Sequence, residues 1–211
     1  MDLANLNAYG MEAGIAVINA TGNGYEYRTS GVVNVGDGFF VKAAEATASL
    51  SYSEGAKRGN DNVAPSINLI ATSNTGNDNV IIRFAGEETQ GFDKLDNFDR
   101  SIAEIYVENN NGRYAIMSYD EKATEIEVNF HANQMGNYTI AAITEGDFRN
   151  VVLVDRLSGI ETNLMIEDYN FTATSGDNAK RFLIKIDNGH QSSDNANFAY
   201  QSGEELVVEA E

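Results

Sequence analysis

Short segments of alternating apolar and polar residues recur along the whole chain, and turn residues separate them about every ten positions. The last third shows the pattern most clearly, with an apolar run at 151–154, an alternating segment at 169–173 and a closing run at 182–186. These segments are short and rich in β-branched or aromatic side chains, which is typical of strands. The pattern predicts an antiparallel meander whose inner face is covered by a second sheet.

The first two thirds of the chain follow the same pattern. Asn23-Gly24 separates the predicted strand at 15–18 from the alternating segment at 25–28, and Gly76 to Asn79 is predicted to be a turn before the run at 80–84. The strongest local signal is Asn109 to Gly112 between two alternating segments, because asparagine and glycine favour hairpin turns. We therefore predict an all-β fold, an antiparallel β-sandwich of jelly-roll type.

One stretch departs from the strand pattern, because its residues repeat every third position. The apolar row is Phe92, Leu95 and Phe98, and the acidic row is Asp93, Asp96 and Asp99. This spacing predicts one short helical segment near 92–100 that buries the apolar row. Carboxylates three residues apart converge on one side of a helical turn, so the acidic row is a candidate calcium site. The alternative is a solvated face, and the EF-hand pattern is absent.

Breaks in the periodicity suggest the domain boundaries. The stretch from Gly55 to Ala64 has no periodicity and ends at Pro65, the only proline, so a boundary near 55–65 and a long surface loop are both consistent with it. We predict one β-sandwich over 1–187 and a polar linker over 188–197. Residues 198–211 then begin a new segment.

Charge and composition exclude several function classes. The chain has 211 residues, with 14 basic and 32 acidic side chains and a formal charge of -18. Such a charge repels nucleic acid and anionic lipid, so we expect no nucleic-acid partner. No apolar run approaches the ~20 residues that span a bilayer, so we expect no membrane insertion. There are no cysteines, which excludes disulfides, thiolate metal sites and a cysteine nucleophile.

The sequence contains no recognisable catalytic motif. Its two histidines, His131 and His190, do not form a zinc motif, and no serine-hydrolase elbow or phosphate loop occurs. We therefore expect no enzyme activity and no cofactor, with calcium as the one candidate. Aromatic residues of the first strands could stack on a sugar or fill the core, the latter being commoner in alternating strands. They are Tyr25, Tyr27, Phe39, Phe40 and Tyr52.

Seven short motifs occur in a characteristic order along the chain. They are Gly38 to Ala43, Gly91 to Asp93 with 96–99, Tyr138 to Ile140, Val152 to Gly159, Thr162 to Leu164, Tyr169 to Ala173 and Arg181 to Ile184. This succession resembles the β-sandwich region that precedes the C-terminal sorting domain of large secreted Bacteroidetes proteins. The last three strands are the most specific part. Residues 198–208 are similar to the opening of a type IX secretion sorting domain, so we expect the chain to be a fragment of a longer protein.

The resemblance implies a location more than an activity, because that region has no catalytic residues to carry over. It implies export across the outer membrane and release or anchoring at the cell surface. Our leading hypothesis is a non-catalytic structural or presenting module whose partners include neighbouring domains of the parent protein. The alternative is a carbohydrate-binding or adhesin module that contacts glycans or cell-surface components, with calcium at Asp93, Asp96 and Asp99.

Overall fold

The chain folds almost entirely into β-strands. The computed structural model describes residues 1–3, 6–52, 64–85, 91–187, 198–202 and 205–209. Within these ranges the strands are β1 (Leu6–Tyr9), β2 (Ile15–Ile18), β3 (Tyr25–Arg28), β4 (Phe39–Phe40), β5 (Ser49–Tyr52), β6 (Ser66–Ser73), β7 (Gly76–Phe84), β8 (Phe92–Asp93), β9 (Glu104–Asn109), β10 (Gly112–Tyr119), β11 (Glu125–His131), β12 (Gly136–Glu145), β13 (Asn150–Asp155), β14 (Glu161–Asn163), β15 (Tyr169–Ala173), β16 (Phe182–Asp187), β17 (Phe198–Ser202) and β18 (Glu205–Glu209). The predicted all-β class is confirmed.

The largest sheet runs through the described residues in the order β14-β13-β16-β11-β9-β10-β7-β6-β12-β15, with β8 attached to β10. Strand β9 connects the two halves of this sheet. Its first residues pair with β11, and its last residues pair with β10 across the predicted hairpin. The sheet bends at β9, so that side chains of β6, β7 and β12 share one buried cluster with those of β13 and β16. This packing is that of a β-sandwich.

All neighbours in this sheet are antiparallel except β7 and β10, which pair in parallel from Ile81↔Ile116 to Phe84↔Tyr119. Strand β7 is buried on both faces: Val80, Ile82 and Phe84 point into the main core, whereas Ile81 points to the opposite side. Burial on both faces explains why the middle of β7, Val80 to Ile82, is continuously apolar instead of alternating.

A small sheet, ordered β3-β2-β4, covers part of the outer face of the sandwich. Ala16 and Tyr27 of this sheet pack against Ile81, Phe92 and Ile116 in a second buried cluster. The opposite face of β2 carries Ile15 and Val17, which belong to a third cluster with Val33. The outer face is thus covered over β7 and β10. Much of it stays exposed over β12 and β15.

The predicted helical segment near 92–100 is wrong. Residues 92–93 form strand β8, residues 94–97 have no regular structure, and a bend and turn follow at 98–101. The backbone there bonds to other elements: the amide of Lys94 donates to the Arg113 carbonyl (2.9 Å) and that of Asp99 to the Asn23 carbonyl (2.8 Å). Phe92 is buried, whereas Phe98 is 54% exposed, so the three-residue spacing does not make a buried stripe.

The predicted turn from Gly76 to Asn79 is also wrong, because these residues open strand β7 and the hairpin turn precedes them. The candidate boundary near 55–65 falls mostly on residues outside the described ranges, and the linker at 188–197 lies entirely outside them. The C-terminal residues that are described form the β17–β18 hairpin. Among the residues that the structure describes, no helix is long and apolar enough to cross a membrane.

Candidate functional site

Each of the three candidate calcium ligands is engaged in its own local interaction. Asp93 Oδ1 accepts a hydrogen bond from Lys42 Nζ at 2.8 Å. Asp96 pairs with Arg100 (3.0 Å) and with Arg113 (3.3 Å), and the hydrogen bond from Arg100 lowers its pKa. Asp99 Oδ1 accepts bonds from the backbone amide and hydroxyl of Ser101 at 2.9 and 2.7 Å, which lower its pKa.

The irregular backbone of residues 94–97 does not place these carboxylates on one side of a helical turn. Within the described ranges, no group of three or more histidine, aspartate or glutamate side chains is placed to hold a metal ion. The arrangement therefore fixes the position of this loop through paired charges.

Lys42 joins two segments that are far apart in sequence. Its ammonium group donates to the carbonyl of Gly91 at 2.9 Å as well as to Asp93. Gly91 lies so close to β10 that a Cβ atom there would collide with the carbonyl oxygen of Ile116. A glycine is therefore required at this point for the loop to reach β10.

A fully buried ion pair lies between the sandwich and the small outer sheet. Lys94 Nζ donates to Asp78 Oδ1 at 2.6 Å and to the Asn79 carbonyl at 2.9 Å, and both charged side chains are 0% exposed. Asp78 Oδ2 accepts the backbone amide of Ile105 at 2.9 Å, and the ammonium lies 4.7 Å from the ring centroid of Tyr27. Burial raises the pKa of Asp78 and lowers that of Lys94. These contacts connect the loop at Lys94 to strand β7, and strand β7 to strand β9.

A second buried pair closes the last turns of the sandwich. The Arg181 guanidinium donates to both carboxylate oxygens of Asp155, at 2.9 and 2.7 Å. Asp155 also accepts the hydroxyls of Tyr169 (2.6 Å) and Ser158 (3.0 Å) and the amide of Leu157 (2.9 Å). Burial opposes ionisation of Asp155, but the hydrogen bonds from Arg181 and Tyr169 outweigh it and lower its pKa to about 2. The carboxylate thus stays ionised at neutral pH.

The main surface groove lies elsewhere, on the exposed outer face of β6, β12 and β15. Its volume is about 820 Å³, within the range of small-molecule sites, and none of its lining residues is charged. Thr139 lies opposite both Thr72 and Asn170, and Asn137 lies opposite Thr172. The groove thus presents a grid of hydroxyl and amide groups.

Comparison with protein-family models, with curated proteins and with solved structures finds no match to this chain. The charged residues of the motifs that carry the sequence resemblance contact one another in the fold. Lys42, in the motif Gly38 to Ala43, donates hydrogen bonds to Gly91 and Asp93 of the second motif. Asp155, in the motif Val152 to Gly159, accepts a hydrogen bond from Arg181 of the last motif. Most of these charged motif residues fix turns and loops on the sheet.

A smaller cavity of about 270 Å³ lies between residues 26–32 and the ends of β6 and β12. Glu145 Oε1 accepts the Ser30 hydroxyl at 2.5 Å, and its Oε2 is one of two buried side-chain atoms without a hydrogen-bond partner in the described part of the chain. The nearby Glu26 is held by Arg28 at 2.6 and 3.0 Å. The cavity thus contains one carboxylate that is not engaged in an ion pair.

The aromatic residues of the first strands do not form one platform. Tyr27 is buried in the second cluster, and Phe39 packs in the third cluster on the opposite side. Tyr52 lies on β5, which pairs with β1 in a separate small sheet. Only Tyr25 and Phe40 are in contact, with ring centroids 5.7 Å apart. The five-residue sugar platform considered from the sequence is therefore not assembled.

Sequence reasoning missed the Asp78–Lys94 pair and the groove. Asp78 follows a glycine and an asparagine, which is the composition of a turn, so no local signal placed it inside a strand. The groove has a signal in the sequence, because the segments that form β6, β12 and β15 contain a single charged residue, Glu145. That these strands are neighbours cannot be read from their positions in the chain.

Proposed function

We propose that this chain is a non-catalytic structural or presenting module of a secreted or cell-surface protein. One observation carries the proposal: the carboxylates of the two buried charged pairs also accept hydrogen bonds from backbone amides, so the pairs fix the conformation of turns and loops. Asp155 and Arg181 hold the 155–159 turn, and Lys94 and Asp78 hold the 94–97 loop to β7 and β9. Charges used in this way give a rigid sandwich with fixed loops.

The proposed cellular location rests on the sequence resemblance, which supports export through a type IX pathway and a position next to other domains of a longer protein. The acidic composition is consistent with it, because a charge of -18 keeps a chain soluble and self-repelling at a crowded surface. The partners would then be neighbouring domains of the parent protein.

Two experiments test this function. First, the purified chain is incubated with fluorogenic peptide and glycoside panels, and we expect no turnover. Turnover that one carboxylate substitution abolishes would overturn the proposal. Second, the chain is placed between a reporter and a type IX sorting domain in a Bacteroidetes host, and intact surface reporter is quantified. We expect Asp155→Asn to lower it and Glu127→Gln to leave it unchanged, and equal levels for both variants would contradict a presenting role.

A second candidate function is a carbohydrate-binding or adhesin module. The observation that favours it is the groove on β6, β12 and β15, whose lining of hydroxyl and amide side chains matches the hydrogen-bonding groups of sugars. This site is separate from Asp93, Asp96 and Asp99, so calcium at those residues is not needed for it.

A further inference from the structure

The groove differs in charge from the rest of the chain. The whole sequence carries 32 acidic residues in 211, yet strands β6, β12 and β15 carry one, Glu145, at the end of β12 opposite the groove. A surface that served only to keep the protein soluble would carry charges on its exposed strand positions. At the groove, the exposed positions of these strands carry threonine and asparagine instead, and Ile143 of β12 is exposed outside the groove.

Several polar side chains in the groove have no hydrogen-bond partner among the residues that the structure describes. Thr139 Oγ1 donates to Asn170 Oδ1 at 2.8 Å, which fixes the orientation of that amide. In the described part of the chain, no protein hydrogen bond occupies the side chains of Thr72, Asn137 or Thr172. Asn137 and Thr172 are directly opposite each other on β12 and β15, so their Cβ atoms are about 5 Å apart.

The chemistry of the groove selects a class of ligand. Calcium sites are built around carboxylates, which the lining lacks. An anionic glycan would find no cation in the groove and would meet the repulsion of the acidic chain. A neutral, hydroxyl-rich ligand meets donors and acceptors of both kinds, and Met135, which is 84% exposed at the rim, offers an apolar contact.

We propose that the groove on β6, β12 and β15 binds uncharged glycans without a metal ion, through Asn137, Thr172 and the Thr139–Asn170 pair. This inference rests on the second candidate function and does not depend on the presenting role. Recognition is by hydrogen bonds to a preformed sheet surface, so the strands need no rearrangement on binding.

The test uses the full chain on immobilised neutral polysaccharides (mannan, xylan, β-glucan and galactan) and on heparin and polygalacturonate, in calcium and in EDTA. The groove variants are Asn137→Ala, Thr172→Ala and the double variant. The matched controls are Asn110→Ala and Thr47→Ala, which remove exposed side chains of the same kinds elsewhere. Thermal melts verify that every variant is folded. Loss of a neutral hydrogen bond should lower affinity about 3- to 10-fold per groove variant.

We expect binding to at least one neutral polysaccharide that is unchanged by EDTA, weakened by both groove variants and unchanged by both controls. Binding that the groove variants leave intact would overturn this site but keep the carbohydrate-binding function. Binding lost in EDTA, or confined to the anionic glycans, would overturn the ligand class. A blank array with folded protein would overturn both the site and the carbohydrate-binding function, and it would leave the presenting role standing.

Discussion

Replacing Asp155 by asparagine tests whether the Asp155–Arg181 pair stabilises the sandwich. The substitution keeps the size of the side chain but removes its charge, while the Arg181 side chain stays only 5% exposed. Breaking a buried pair in this way leaves an uncompensated charge and costs about 3–5 kcal/mol. The NH2 group of the asparagine could also face an N–H group of Arg181, and this contact would be unfavourable because a guanidinium cannot accept a hydrogen bond.

The pH dependence gives an independent estimate of the same interaction. The pKa of Asp155 falls from 3.8 to about 2 on folding, which at about 1.4 kcal/mol per unit is worth about 2.5 kcal/mol at neutral pH. Because the folded pKa is the lower one, this stability is present above pH 3.8 and is lost as the pH falls towards 2. About half of it, roughly 1 kcal/mol, should be lost by pH 3.

The assay is urea unfolding of wild type and Asp155→Asn between pH 6 and pH 3. Other carboxylates titrate in both proteins, so the difference between them isolates Asp155. We expect the cost of the substitution to shrink by about 1 kcal/mol over this range. The control is Glu127→Gln, whose pair with Arg156 at 2.7 Å has side chains 53% and 40% exposed, and it should cost under about 1 kcal/mol.

Two outcomes would refute this reasoning. One is an Asp155→Asn cost no larger than that of Glu127→Gln, and the other is a cost that does not change between pH 6 and pH 3. Where Asp155→Asn fails to fold, Tyr169→Phe provides the measurement. It removes one hydrogen bond to the carboxylate, of 2.6 Å, and should cost about 1.5–3 kcal/mol.

Three further predictions follow from the described contacts. Lys94→Met leaves the Asp78 carboxylate buried without a cation and should cost about 3–5 kcal/mol in urea unfolding, with part recovered when Asp78→Asn is added; full additivity of the two costs would contradict the pairing. Gly91→Ala should lower the melting temperature by several degrees, because its Cβ meets the β10 backbone, whereas Gly38→Ala, in open space, should not. Calcium and EDTA should leave the melting temperature unchanged, because each aspartate of the 93–99 row is engaged elsewhere; a clear rise in calcium would restore the metal site.

Local patterns predicted much of the strand content. The hairpin at Asn109–Gly112 forms as expected, because its turn chemistry and its flanking alternation agree. Strand β11 buries Ile126 and Val128 and exposes Glu125 and Glu127, as its alternation indicates. In these places a residue and its near neighbours suffice to determine the conformation.

The sequence failed where a distant residue decides the outcome. The 92–100 segment has helical spacing, but backbone hydrogen bonds to Arg113 and Asn23 hold it in a non-helical conformation, and neither partner is close in sequence. Asp78 lies in a stretch whose composition is typical of turns, yet its ion pair with Lys94 stabilises it in the buried position. The parallel pairing of β7 with β10 likewise joins strands separated by β8 and β9. Such pairings are set by the tertiary fold and leave no periodic signal.

The distribution of cations explains why a neutral groove matters in this chain. There are 14 lysines and arginines against 32 acidic residues, and two of the cations, Lys94 and Arg181, are buried in pairs. Few cations therefore remain to offset the acidic surface, whose repulsion of anions acts over about 8 Å at physiological salt. A neutral polymer does not experience this repulsion and can approach the groove closely enough to form hydrogen bonds. If the proposed glycan binding is correct, this acidity would favour uncharged polymers over anionic ones, and raising the salt should increase binding of anionic polysaccharides while leaving binding of neutral ones unchanged.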